Sequence, residues 1–304
     1  MMITQLQEEI LKLKKEKNIG ILAHSYQSTD ILEIADLKGD SFALSEKAQD
    51  LDFDTVIMCG VRFMADTVKI LSPEKKVILA APDATCPMAE QIDPQRVIDY
   101  KKEHPDHTVV AYVNTTTELK AVSDVCVTSS SAQKIVERLD AETILFIPDQ
   151  NLGSYIREKV PTKKVVLWDG YCPVHHQITE EDVLSCKLAH PGCKVLMHPE
   201  CPRTALRYAD VVGSTADIIR YCENTSEDVI IGTEKSVGDY LSLCYPQRNF
   251  YLLSKKLICP DMRITTLTDV YKALIGSGGE VIEIEENLRL AARRAIDQMI
   301  RLGK

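Results

Sequence analysis

Three apolar stretches each end in a Cys-Pro pair: VILAAPDATCP at Cys86, VVLWDGYCP at Cys172 and NFYLLSKKLICP at Cys259. From 86 to 172 to 259 the steps are 86 and 87 residues. A single Cys-Pro is most often a small buried residue before a turn, because cysteine is so often simply buried. Three in register point to a shared task. Three thiolates, with no fourth supplied by the repeat, suit a 4Fe–4S cluster, one per chain, that keeps one iron open for substrate. An open iron is a Lewis acid, able to bind and polarise a hydroxyl or carboxylate during dehydration.

Other chemically capable residues keep the same interval. The stretch NIGILAHSY leads to His24 and Tyr26, HTVVAYVNT to Tyr112 and Asn114, and CKVLMHPE to His198 and Glu200. A carboxylate there suits a general base, and a tyrosine suits a proton donor or orienting group. His198 and Glu200 both reach one cavity only if the backbone turns between them, and Pro199 favours such a turn. A third set is Asp36-x4-Ser41, Asp124-x4-Ser129 and Asp210-x4-Thr215. Ser41, Ser129 and Thr215 each follow a strand-like run and precede a helical one, where a hydroxyl caps the helix and its N-terminus attracts an anion. Plain capping is the ordinary role; three caps facing one cavity would make a site for a dicarboxylate or phosphate.

Zinc is the competing use of these residue types. His190 with Cys193, and His198 with Cys201, show the His-x2-Cys spacing of structural sites. They lie at opposite ends of one strand of about five residues, so a shared ion would have to span roughly 17 Å. Cys201 has no counterparts in the repeat and stands outside the cysteine set. Cys59, Cys126, Cys186, Cys222 and Cys244 fall inside or beside strand-like or helical runs and are assigned to core packing. His104, His107, His175 and His176 lie in polar loops and are assigned to solvated surface.

The elements that must position these groups repeat as well. Short Val/Ile-rich runs alternate with helical patterns such as SFALSEKAQDL, SAQKIVERL and TADIIRYCEN, the sequence form of a parallel sheet wrapped by helices. The expected fold is therefore α/β, with three similar small parallel-sheet αβα domains around a pseudo-threefold axis and a central cavity at the strand ends. The domains are residues 1–86, 87–172 and 173–259. Residues 260–304 pack back on the first, through a terminal helix with Leu288, Ala292, Ala295, Met299 and Leu302 on one face. An amphipathic helix opens the chain, with Ile3, Leu6, Ile10 and Leu13 at helical spacing.

The 304 residues carry a formal charge of −9, which excludes a phosphate-backbone binder and leaves no nucleic-acid partner expected. No apolar run approaches the length of a membrane span, and the first residues mix Glu with Lys, so no membrane partner is expected and a cytoplasmic location is. The ten cysteines would then sit in a reducing compartment, as inert core residues or metal ligands.

The motifs AHSYQ, GDS, MCGVRFMADT, PDATCPMA, AYVNTT, VTSSSA, PDQNLG, WDGYCPVH, HPEC, GSTADII, GTEKSVG and ICPDM run over essentially the whole chain and resemble the signatures of the quinolinate synthase family. The resemblance implies three α/β domains around a central cluster. It implies a transferase- or lyase-type condensing enzyme that joins iminosuccinate to dihydroxyacetone phosphate, giving quinolinate, phosphate and water in NAD biosynthesis. It makes Cys86, Cys172 and Cys259 the cluster ligands. It places substrate against His24, Ser41, Tyr112, Val113, Asn114, Ser129, His198, Pro199, Glu200 and Thr215, and makes Tyr26 a mobile active-site tyrosine. Glu200, with His198 or a tyrosine, would move protons. Some relatives carry a Cys-x2-Cys-x2-Cys run near the last ligand; here Cys259 precedes Pro260, Asp261, Met262 and Arg263, which argues against a disulfide switch there. Pathway logic adds functional coupling to an aspartate-oxidising enzyme that delivers the unstable imine. Two other classes stay open: an iron–sulfur hydro-lyase acting on another hydroxy acid, and a non-catalytic iron–sulfur sensor or carrier. A structural zinc protein would be colourless.

Overall fold

The structure, a computed structural model, describes residues 3–303. It contains three sheets. The first has strands β1 (Ile19–His24), β2 (Leu37–Gly39), β3 (Thr55–Cys59) and β4 (Lys76–Leu79). The second has β5 (Thr108–Tyr112), β6 (Val125–Val127), β7 (Thr143–Ile147) and β8 (Lys164–Leu167). The third has β9 (Lys194–Met197), β10 (Val211–Val212), β11 (Val229–Gly232) and β12 (Phe250–Leu252). The strand orders are β2-β1-β3-β4, β6-β5-β7-β8 and β10-β9-β11-β12, the same order three times, and every pair within these sets is parallel. Only β13 (Glu280–Val281) departs, adding antiparallel to the edge at β4. The central strands are buried on both faces, which explains why they read as continuous apolar runs and not as alternating ones.

The chain divides into two compact units. One comprises Met1–Cys86 and Cys259–Arg293 and holds the first sheet; the other comprises Pro87–Ile258 and Arg294–Lys304 and holds the second and third. In the first unit, the helix Leu267–Ile275 packs against β3, and the terminal helix Glu286–Gly303 is tied to the end of the helix Arg62–Leu71, with Arg289 and Arg293 donating to the Ile70 and Leu71 carbonyls. In the second, Arg138 donates to the Leu302 carbonyl at 2.6 Å. In the opening helix Ile3–Lys17, Ile10 is buried but Ile3 is exposed, so the apolar face begins one turn later than its sequence spacing predicts.

The aspartates of the Asp-x4-Ser/Thr set turn out to be structural. Asp36, Asp124 and Asp210 accept the backbone N–H of Ile21, Val109 and Val195 at 2.8, 2.8 and 2.9 Å, and their own N–H groups donate back to the same residues. Each also faces a lysine of the helix that opens its repeat: Lys14 at 2.8 Å, Lys101 at 2.6 Å and Lys187 at 3.8 Å. These lysines donate to the carbonyls of Ile34, Val122 and Tyr208 as well. One latch therefore ties helix, first strand and second strand in all three repeats.

The Lys14 side chain is buried while that of Lys101 is about one-third exposed, so the two latches carry different weight. Asp36→Ala strands an ammonium inside the protein and is expected to cost about 2–4 kcal/mol, against about 1–2 kcal/mol for Asp124→Ala. Denaturant midpoints of the two variants check that order.

Candidate active site and metal centre

Cys86, Cys172 and Cys259 occupy equivalent slots: each follows the fourth strand of its set, β4, β8 or β12, in irregular chain. The same backbone bond pins each loop. Arg62 N–H donates to Ala84 O at 2.9 Å, Gln150 N–H to Gly170 O at 2.7 Å and Lys235 N–H to Leu257 O at 2.9 Å, every acceptor lying two residues before its cysteine. All three cysteines are half-buried. The Cys172 loop has further braces. Its own N–H donates to Asp149 Oδ2 at 2.9 Å, and the Gln91 amide clamps Tyr171 from both sides, donating to its carbonyl and accepting its N–H, each at 2.9 Å.

Gly170 allows this loop to sit where it does. A Cβ there would lie 2.5 Å from the Pro148 carbonyl oxygen and 2.8 Å from Gln91 Oε1, and the first neighbour is backbone that cannot swing away. Gly170→Ala is expected to displace the Cys172 loop, costing about 1–3 kcal/mol of stability, together with most of any metal bound. A melting curve and a metal assay on one preparation check both.

The remaining cysteines divide differently. Burial pushes the thiols of Cys59, Cys126 and Cys222 up to about 12, 11 and 11, and that of Cys201 well above its ordinary value, so all four stay protonated at neutral pH and are poor ligands. Cys186 is half-buried and Cys244 is exposed at the end of the helix Lys235–Cys244, so core packing does not describe these two. The helix ends where the chain turns out towards solvent.

In the second unit a set of buried polar groups gathers beside Cys172. His198 continues the ladder beyond β9 by donating its N–H to Gly232 O at 3.1 Å, and the chain then turns, with Cys201 N–H donating back to His198 O. That turn brings the His198 and Glu200 side chains to one place, with Nδ1 and Oε2 3.7 Å apart and the residues only 2% and 4% exposed. Tyr112, at the end of β5 and 5% exposed, bonds the Glu200 carboxylate through its hydroxyl.

His175 completes the set. Its Nδ1 lies 2.7 Å from Glu200 Oε2 and 3.3 Å from Cys172 Sγ, and its Nε2 lies 3.1 Å from Thr233 Oγ1. The network assigns the Nδ1 proton to the carboxylate and makes Nε2 the acceptor of the threonine hydroxyl. Carboxylate, imidazole and hydroxyl thus form a chain along which a proton can move. Cys172, His175 and Glu200 each place a donor atom within 4.8 Å of the others. Two ligands of one tetrahedral ion would lie about 3.3 Å apart, however, so the 2.7 Å contact is the spacing of a shared proton.

The electrostatics follow from this packing. Burial alone would raise the Glu200 carboxyl, but the rings of His198 and His175 and the bonds from His175 and Tyr112 hold it below the ordinary carboxylate range. Burial pushes His198 down to about 4 against the pull of Glu200, so its imidazole is neutral at pH 7. Asp149 is raised, first by burial and then by the Glu200 charge.

The profile of the family described as quinolinate synthetase A protein matches residues 8–301. The chain belongs to this family. Among similar proteins, the quinolinate synthase of Alkaliphilus metalliredigens is 46% identical over 300 residues, covering 98% of this chain and 99% of its own. Those of Clostridium perfringens and Caldicellulosiruptor bescii are 46% and 43% identical over 299 and 304 residues, covering 98% and 100% of this chain and 99% and 100% of theirs. Membership makes the chain an enzyme of the quinolinate synthetase A family, and none of its helices among the described residues is long and apolar enough to cross a membrane.

The structure places the other expected residues of this family member as follows. His24, 5% exposed, ends β1; its Nδ1 accepts the Tyr26 N–H at 3.1 Å, and the two rings meet edge-on at 4.7 Å. Gln27 ties that loop to the segment after Cys259, donating to Met262 O at 2.7 Å. Val113 donates to Val127 O at 2.7 Å, which turns the chain at Asn114. Asn114 Oδ1 and Thr115 Oγ1 are buried with no hydrogen-bond partner among the described residues. Such orphaned atoms at a strand end are suited to a ligand.

The capping role expected for the hydroxyls is overturned. Asp40 caps the helix Ser41–Lys47 by accepting Ala43 N–H, Ser214 caps Thr215–Glu223 in a capping box, and Ser131 stands at the cap of Ala132–Arg138. Ser41 and Thr215 are the first helical residues, and Ser129 lies two residues before its cap. His175 is likewise buried, not solvated, because Thr233 and Glu200 close over it.

Proposed function

We propose that this protein condenses iminosuccinate with dihydroxyacetone phosphate to give quinolinate, phosphate and water. In this reading Cys86, Cys172 and Cys259 hold one 4Fe–4S cluster per chain. The donor set fits it: three half-buried thiols in equivalent, similarly braced loops, against buried thiols that stay protonated. When bound, the cluster supplies an iron open to a hydroxyl or carboxylate oxygen of the substrate. The observation that carries the reading is the buried group Tyr112, Glu200, His175 and Thr233 next to one of those thiols, Cys172.

The chain's own residues supply proton transfer and binding. Glu200, held ionised, takes protons as carbon–carbon bond formation and imine closure proceed. His175 keeps its Nδ1 proton on the carboxylate and so orients it, while Thr233 fixes the ring from Nε2. Tyr112 keeps its hydroxyl on Glu200 until substrate arrives. Neutral His198 donates to a carbonyl or carboxylate without bringing a charge. Asn114 Oδ1 accepts from the imine or a hydroxyl. Ser41, Ser129 and Thr215 contact the carboxylates or phosphate by their side chains, and His24, Val113 and Pro199 shape the same site. Tyr26 closes over the substrate. The imine is unstable, so an aspartate-oxidising enzyme must supply it nearby, and the cytoplasm is the setting in which ten cysteines stay reduced.

The experiment that tests this mixes anaerobically purified protein with both substrates and follows quinolinate and phosphate together. Equal amounts of both support the reading. Neither product, with dehydration of another hydroxy acid instead, would make the protein a different hydro-lyase.

A further inference from the structure

We propose that Asn151 is a positioning residue that sets the contact between His175 and Glu200. This rests on the reading of Glu200 as the base. The helix Gln150–Lys159 starts directly beyond β7, and its first residues reach two separate chain segments. Asp149 caps it through Oδ1, accepting Leu152 N–H at 2.7 Å, while its Oδ2 takes the Cys172 N–H. Asn151, 6% exposed, donates through Nδ2 to the Glu200 carbonyl at 2.9 Å, and the same nitrogen lies 3.0 Å from His176 Nδ1.

One amide nitrogen therefore ties residue 200 to residue 176, immediately beside His175. The ring of His176 stacks on Tyr171 at 4.0 Å, so its position in turn fixes the other flank of Cys172. An amide nitrogen has two hydrogens, one for each partner, which a carboxylate or hydroxyl at this place cannot supply. Asn151 reaches Glu200 only through the backbone. Its effect is to hold an orientation, and small displacements of a base are costly to the rate.

Asn151→Asp keeps the shape of the side chain and removes both donors; Asn151→Ser is the second variant should the first fail to fold. Each is compared with wild type as anaerobic holoenzyme. Iron content and KM for both substrates are expected to stay within about twofold of wild type while kcat falls about 10- to 100-fold. In crystals of the variant the His175 Nδ1 to Glu200 Oε2 separation is expected to open beyond about 3.5 Å. An unchanged kcat, an unchanged separation, or a kcat loss matched by iron loss would each overturn the proposal. If wild type makes no quinolinate under the same conditions, the proposed reaction has failed, and the separation in the variant still decides the role of Asn151.

Discussion

Glu200→Gln is expected to keep the fold and the metal content and to lower quinolinate formation by about 100- to 10,000-fold, the usual worth of a general base. The substitution is isosteric, and Asn151 still donates to the residue-200 carbonyl because that contact is to backbone. What changes is the side chain. An amide cannot take a proton. Its nitrogen would also confront either the Tyr112 hydroxyl or the Nδ1 proton of His175, both of which now donate to the carboxylate. Quinolinate formation per chain, measured beside iron content, checks both halves. Full activity in this variant would remove Glu200 from the mechanism.

The second large effect concerns the thiols. Cys86→Ser, Cys172→Ser and Cys259→Ser are each expected to lose most bound iron and sulfide and all measurable product, because a serine hydroxyl is not deprotonated at neutral pH and replaces a soft ligand with a hard one. Cys126→Ser and Cys201→Ser provide the contrast. Both thiols are buried and held protonated by that burial, so their loss should change stability by about 1–2 kcal/mol and leave the iron in place. Iron and sulfide quantitation across the five variants reads the difference directly. Equal iron loss in all five would mean that the threefold register marks packing and not ligation.

Much of this is legible in the sequence because the chain states its plan three times. One strand order, one cysteine slot and one backbone brace recur, and repetition makes weak local signals add. Repetition alone does not say what a repeated residue does: Asp36, Asp124 and Asp210 keep a regular spacing before Ser41, Ser129 and Thr215, and only the structure shows that they form a latch holding each opening helix. In Asp40-Ser41 and Ser214-Thr215 two capable caps are adjacent, and only three-dimensional placement decides which one meets the free N–H.

His175 escapes a reading of the sequence for a different reason. Its burial is made by Thr233, 58 residues further on, and by Glu200, and no local pattern announces such partners. Asp149 does leave a trace: in the repeat register it stands opposite Glu234, and both carboxyl residues are fully buried after their strands. Two acids in matching positions at the ends of apolar strands are a signal that the spacing of the residues alone carries. Asn151 leaves none, since its partners are a backbone carbonyl and a neighbouring ring.

If product formation follows a cluster held by these three loops, anaerobic reconstitution shows it directly. Iron and sulfide are titrated into metal-free protein, and the rate of quinolinate formation from iminosuccinate and dihydroxyacetone phosphate is measured at each step. The rate is expected to rise with iron and level off at about four irons per chain, with a brown chromophore growing in parallel and no activity in Cys172→Ser. Quinolinate formed without iron, or equally well with zinc, would contradict it.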